Sequence, residues 1–169
     1  MRVAVTGTPG TGKTTAVELV DTELEVVQLN ELIEPEGLYE RRDDERESLV
    51  VDLEAVRSWF DGREDVLVES HLAHHLDVDR VIVLRCRPEE IKRRLRDRGE
   101  SDASAAENAE SEALDGILTE TVERHGREQV YELETTDREP EAVAAEIEAI
   151  LADEREPAVG TVSYVEYLS

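Results

Sequence analysis

The chain of 169 residues is long enough for one domain with a buried core and too short for two, and its 43 acidic against 19 basic residues leave a formal net charge of −24. That surplus excludes a general nucleic-acid binder, because a coat of carboxylates repels phosphate backbones; any RNA contact needs a local arginine patch or a protein intermediary. No apolar run reaches the ~18 residues of a membrane span, and the N-terminus enters a strand by residue 3, so neither span nor secretion signal is expected and the chain reads as a cytoplasmic monomer.

In chain order, the pattern predicts a strand over 2–6, a helix over 13–20 and a strand over 25–28, then a polar, irregular stretch to Ser48. A helix follows from Asp52, its cap, to Phe60, then a buried strand over 65–69 and another over 79–85. Pro88 opens a helix with Ile91 and Leu95 as its apolar stripe and Gly99 as its stop; a longer helix runs over about 104–125 to Gly126. The last strand covers 129–133 and the last helix 140–152. This β/α alternation predicts an α/β fold, a parallel sheet covered by helices on both faces. Acids fall between the apolar positions without displacing them, which argues against disorder and for an acidic coat of the kind suited to very high salt, where screening removes self-repulsion. Cys86, the only cysteine, lies in an apolar run and reads as a buried small hydrophobe. The segment 156–169 holds two of the four tyrosines and is expected to dock.

Gly7-Thr8-Pro9-Gly10-Thr11-Gly12-Lys13-Thr14-Thr15 follows the first strand and opens the first helix, fitting G-x-x-x-x-G-K-[ST]. Glycines let the backbone N–H groups curl around a polyphosphate, and the helix start favours the same anion. Lys13 adds a mobile cation and Thr14 a hydroxyl for Mg²⁺, so the motif implies ATP with Mg²⁺. Glu69 ends the buried strand Val66-Leu67-Val68-Glu69, where an acid can hold a magnesium water or orient a nucleophile; His71, two residues on, can act as general base or water positioner. His71, His74 and His75 lie in one short run that gives poor tetrahedral metal geometry. Arg94 and Arg98 stand at i and i+4 near the end of their helix, suited to a phosphoryl group or a base, or to complementing the helix end.

The chain resembles the nuclear-type adenylate kinases of archaea and eukaryotes, the family of the coilin-interacting nuclear ATPase, over about residues 1–155. The resemblance rests on the loop above, Leu38-Tyr39 with Asp43-Asp44-Glu45, Glu69-Ser70-His71, Arg94-Leu95 with Arg98-Gly99, and Asn108 with Glu112. It implies a P-loop NTPase fold with a five-stranded parallel sheet, a monophosphate-binding segment over about 29–51 and a short lid over about 97–107. It further implies a nucleoside monophosphate kinase with ATPase activity, linked to small ribosomal subunit maturation through a platform ribosomal protein. By matching positions Gly7, Gly10, Gly12, Lys13, Thr14 and Thr15 would hold ATP, with Arg94 and Arg98 closing over it; Lys13, Glu69, His71 and Arg98 would be catalytic, and Thr14 with Glu69 would hold the metal. Two departures stand out. Glu34 replaces a basic residue of some relatives and would repel a monophosphate, leaving Arg41, Arg42 or Arg46 to bind it. The lid carries Glu100, Ala103 and Ser104 where tyrosine and lysines are usual. Three readings stay open: a nucleotide kinase, an ATPase switch acting on a protein partner, and a small-molecule kinase of another P-loop family.

Overall fold

The computed structural model describes residues 1–45 and 48–169. Five strands, β1 (Arg2–Thr6), β2 (Glu25–Gln28), β5 (Val66–Glu69), β6 (Arg80–Arg85) and β7 (Val130–Glu134), form one sheet in the order β2-β5-β1-β6-β7. All its pairings are parallel, with Val5 opposite Glu69 and Ile82 on β1's two sides. Period-two alternation divides the sheet's side chains between two cores. Val3, Val5, Leu67, Ile82 and Leu84 meet Ala16 and Val17 of α1 (Lys13–Glu18) and Val143, Ile147 and Ile150 of α6 (Pro140–Leu151). Ala4, Val66, Val68, Val81 and Val83 meet Val56 and Phe60 of α2 (Leu53–Phe60) and Leu118 of α5 (Gly116–His125) on the opposite face. Each fully buried aliphatic side chain contributes about 1.5–3 kcal/mol, so the cores offset the self-repulsion of the coat. Asp52 caps α2, its Oδ1 accepting from the N–H groups of Glu54 and Ala55 at 3.1 and 3.2 Å.

Two expectations are corrected. The stretch read as irregular up to Ser48 contains an antiparallel hairpin, β3 (Tyr39–Asp43) with β4 (Ser48–Val51), bulged between Tyr39 and Arg41. Its strands are short and mostly polar, but Tyr39, Leu49 and Val51 pack against the core beside buried Leu38. The single helix expected over 104–125 is two, α4 (Asp102–Ala113) and α5. Asp115 between them is left-handed, φ 57°, a conformation aspartate tolerates better than most residues. At the break the Glu112 carbonyl, which accepts from Asp115 N–H at 3.1 Å, and the Asp115 carboxylate both also accept from Arg85 of β6.

Helix α3 (Pro88–Asp97) joins α4 through residues 98–101 only, and Ile91, Leu95, Ala105 and Cys86 pack between them. Burial pushes the Cys86 thiol up, in keeping with an inert hydrophobe. The terminal segment lies on its own domain. Ala158 exchanges backbone hydrogen bonds with the β7 edge (its N–H to Val130 O, 3.0 Å; Glu132 N–H to its O, 2.9 Å), which covers an otherwise open sheet edge. Thr161 donates from N–H and hydroxyl to Glu132, and the Tyr164 hydroxyl donates to Glu134. Among the described residues no helix is long and apolar enough to cross a membrane.

Candidate active site

The loop between β1 and α1 is built on glycine geometry. A Cβ on Gly7, φ 150°, would stand 2.6 Å from the Leu84 carbonyl oxygen, and Gly12 sits at φ 89° immediately before α1. Arg94 Nη1 donates to Gly10 O at 3.0 Å, and Thr135 Oγ1 donates to Thr11 O at 3.1 Å, pinning the loop from α3 and from the end of β7. Inside the loop, buried Lys13 Nζ donates to the carbonyls of Gly7 (2.9 Å) and Thr8 (3.1 Å). Burial, assisted by Arg98 and opposed by Glu69 and Glu112, lowers its pKa to about 8.

The carboxyl ends of three parallel strands meet at this loop. Thr14 Oγ1 donates to Glu69 Oε1 at 2.8 Å, and Glu69, on β5, is itself buried. A hydroxyl and a carboxylate at this separation form a hard-oxygen pair that fits Mg²⁺. His71 turns toward the same space; burial and the neighbouring Lys13 hold its pKa at about 4, so the imidazole is neutral near pH 7. Pro9, Gly10, Gly12, Lys13, Thr14, Glu69, His71 and Arg98 line one cavity, joined by Asn30. Asn30 follows β2, and its Oδ1 accepts from Ser70 Oγ at 2.7 Å; the rule that picked out Glu69, a polar residue beyond a strand's carboxyl end, would have found it. Thr15, Arg94 and Arg98 line an adjoining cleft with Thr135, Arg138 and Val143. Of the residues expected for ATP and catalysis, all but Gly7, whose carbonyl instead accepts from Lys13, line these two spaces.

Two of the expected monophosphate ligands, Arg41 and Arg42, are not gathered there. Arg42 donates to Glu34 at 3.0 Å, so the departure at Glu34 is neutralised by one of the arginines meant to compensate it. Arg41 and Arg42 are consecutive on a strand and point to opposite faces, and neither lines the cavity. Arg46 lies outside the described residues. His71 parts from its neighbours: His74 Nδ1 lies 2.8 Å from Thr6 Oγ1 and its Nε2 2.8 Å from Glu120 Oε2.

One buried group was not picked out from the sequence pattern. Arg85, fully buried, meets Glu132 (2.6 Å), Asp115 (2.5 Å) and Glu112 (3.3 Å). Burial works against its charge, but the three carboxylates outweigh it and raise its pKa. Glu112 Oε1 in turn accepts from Thr8 Oγ1 of the loop (3.0 Å), and Oε2 from Cys86 N–H (2.9 Å). A buried ionic cluster therefore braces the phosphate loop against α4, β6 and β7.

Such a loop on such a sheet defines a P-loop nucleotide-binding protein, and known proteins agree. Residues 3–115 match the family described as "AAA domain". The fold resembles a shikimate kinase from Bacteroides thetaiotaomicron (TM-score 0.54, 17% identity, 90% of this chain and 98% of that one). It also resembles an unliganded sugar kinase from a Janibacter species (TM-score 0.53, 19% identity, 90% and 94%). Closer in sequence are archaeal proteins named "Putative adenylate kinase". The one from Natronomonas pharaonis is 62% identical over 99% of this chain and all of its own length; that of Methanosarcina acetivorans is 42% identical over 89% and 86%. The chain belongs to this archaeal adenylate kinase family.

Proposed function

We propose that the protein is a nucleoside monophosphate kinase that moves the γ-phosphoryl group of ATP to AMP or a similar monophosphate. The observation that carries this reading is the single cavity shared by Lys13, Thr14, Glu69, His71 and Arg98 at the strand ends. Lys13 would exchange its two loop carbonyls for the β and γ oxygens of ATP, which return its pKa upward. Thr14 and Glu69 would hold Mg²⁺, which neutralises charge on those oxygens when bound. The acceptor's phosphate oxygen forms its bond to γ-phosphorus as the bond to the β,γ-bridging oxygen breaks, and ADP leaves. His71, neutral near pH 7, would accept a hydrogen bond from an acceptor or a water without adding charge. Arg98, in the short turn between α3 and α4, would cover the transferred group as the lid, with Arg94 beside it.

A second reading, an ATPase with water in place of the acceptor, draws support from the Glu34–Arg42 pair, which occupies one of only three arginines in a segment, 39–51, that also carries five acids. Its small-subunit platform partner rests on the family resemblance alone. Steady-state turnover of ATP with and without AMP tests the proposal: AMP should raise ATP consumption at least about tenfold, and turnover indifferent to every monophosphate would favour the ATPase.

A further inference from the structure

Of the chain's four histidines, one faces the phosphate loop and the other three gather 
on the turn after β5 and the end of α5. We propose that His74, His75 and Glu120 form a site for one divalent transition-metal ion of the zinc class, clamping α5 to that turn.

The three ligand atoms lie within 4.8 Å of one another. Glu120 Oε2 is 2.8 Å from His74 Nε2 and 3.8 Å from His75 Nε2. Ligands sharing a tetrahedral zinc at about 2.0–2.1 Å stand about 3.3 Å apart, so shifts of up to about 1.5 Å complete the site. Glu120, more than half exposed, and partly exposed His75 can make them, while buried His74 supplies the fixed point. Its orientation is already set from behind. With a metal on Nε2, the neutral ring carries its proton on Nδ1 and donates to Thr6 Oγ1, 2.8 Å away, as metal-bound imidazoles commonly do. His125 Nε2 donates to the His74 carbonyl at 2.7 Å and holds the backbone of the turn. A simple His74–Glu120 hydrogen bond explains neither the His75 ring, tilted 35° with its centroid 4.2 Å from that of His74, nor the approach of its Nε2 to the same carboxylate oxygen. Two imidazoles and one carboxylate select zinc, cobalt or nickel over magnesium and calcium, and three protein ligands leave a position for water.

The test is titration of the nucleotide-free protein with Co²⁺ in molar KCl and excess Mg²⁺, which occupy the acidic coat and any hard-oxygen site. One equivalent should produce the intense visible d–d absorption of a four- or five-coordinate ion, discharged by one equivalent of Zn²⁺. Co²⁺ affinity should fall at least about tenfold in His75→Ala and in Glu120→Gln, and stay unchanged in His71→Ala. Glu120→Gln is isosteric at a largely exposed position, so it folds whether or not the metal matters. Absence of the one-equivalent band, unchanged affinity in both cluster variants, or loss in His71→Ala would overturn the proposal; the last would place the ion at the phosphate loop.

Discussion

The Lys13 ammonium is buried with two carbonyls as its partners, and its pKa of about 8 makes ATP affinity depend on pH in a calculable way. Burial disfavours the charged form in the free protein; phosphate oxygens favour it in the complex, so binding takes up a proton wherever the free amine is neutral. With a free pKa of about 8, roughly nine-tenths of Lys13 is charged at about pH 7 and one-tenth at about pH 9. If the complex keeps the charge throughout, the apparent Kd rises about tenfold between those values, about 1.4 kcal/mol, with most of the change above about pH 8. Calorimetric titration of the protein with MgATP at several pH values gives the Kd, and buffers of different ionisation enthalpy give the protons taken up, about half a proton per ATP near pH 8. Lys13→Met should bind weakly and lose the dependence. A flat Kd over this range in the wild type, with no proton uptake, would refute the account of Lys13 as a desolvated cation awaiting phosphate.

Glu69→Ala and His71→Ala should each lower kcat at least about tenfold while changing nucleotide Kd by less than about threefold, since both groups face the reacting end of the cavity; equal losses in both measurements would assign them to support of the loop. Arg85→Leu should destabilise the fold by about 3–5 kcal/mol in urea titrations, because Glu112 and Glu132 would be left buried without their counter-charge; a loss under about 1 kcal/mol would mean the cluster adds little. Melting temperature should climb steeply with KCl, because the Debye length falls from about 30 Å at 0.01 M to about 3 Å at 1 M and with it the repulsion of a net −24 coat; a melting temperature indifferent to salt would show the charge to be paired locally.

How much of this could be read in advance depends on whether a feature is local in sequence. The phosphate loop is contiguous, and Glu69 and His71 follow directly on a buried strand, so both were legible. The parallel sheet with helices on both faces follows from the alternation of β and α segments, whereas the strand order depends on tertiary pairing that the sequence pattern does not carry. The hairpin 39–51 was missed because its strands are short and rich in charge, and only tertiary contact of Tyr39, Leu49 and Val51 with the core reveals it. The Asp115 break hid within a helical pattern, although Asp115-Gly116 offered a turn signal. Arg85 and Glu132 were readable by parity: each shares a face with valines of its own strand, Val81 and Val83 or Val130, where a lone charge demands a partner. The His74, His75 and Glu120 grouping joins residues 45 positions apart and depends on how α5 packs, so spacing alone could not supply it.

Whether the γ-phosphoryl group ends on a monophosphate or on water separates a kinase from an ATPase most directly. Phosphorus NMR of the wild-type protein with ATP, AMP and Mg²⁺ in molar KCl follows both fates at once. ATP and AMP should disappear together as ADP accumulates, two ADP for each pair consumed, with inorganic phosphate a minor product that is lost with ADP formation in Lys13→Met. Inorganic phosphate forming one for one with ADP while AMP persists would contradict this and make the protein an ATPase.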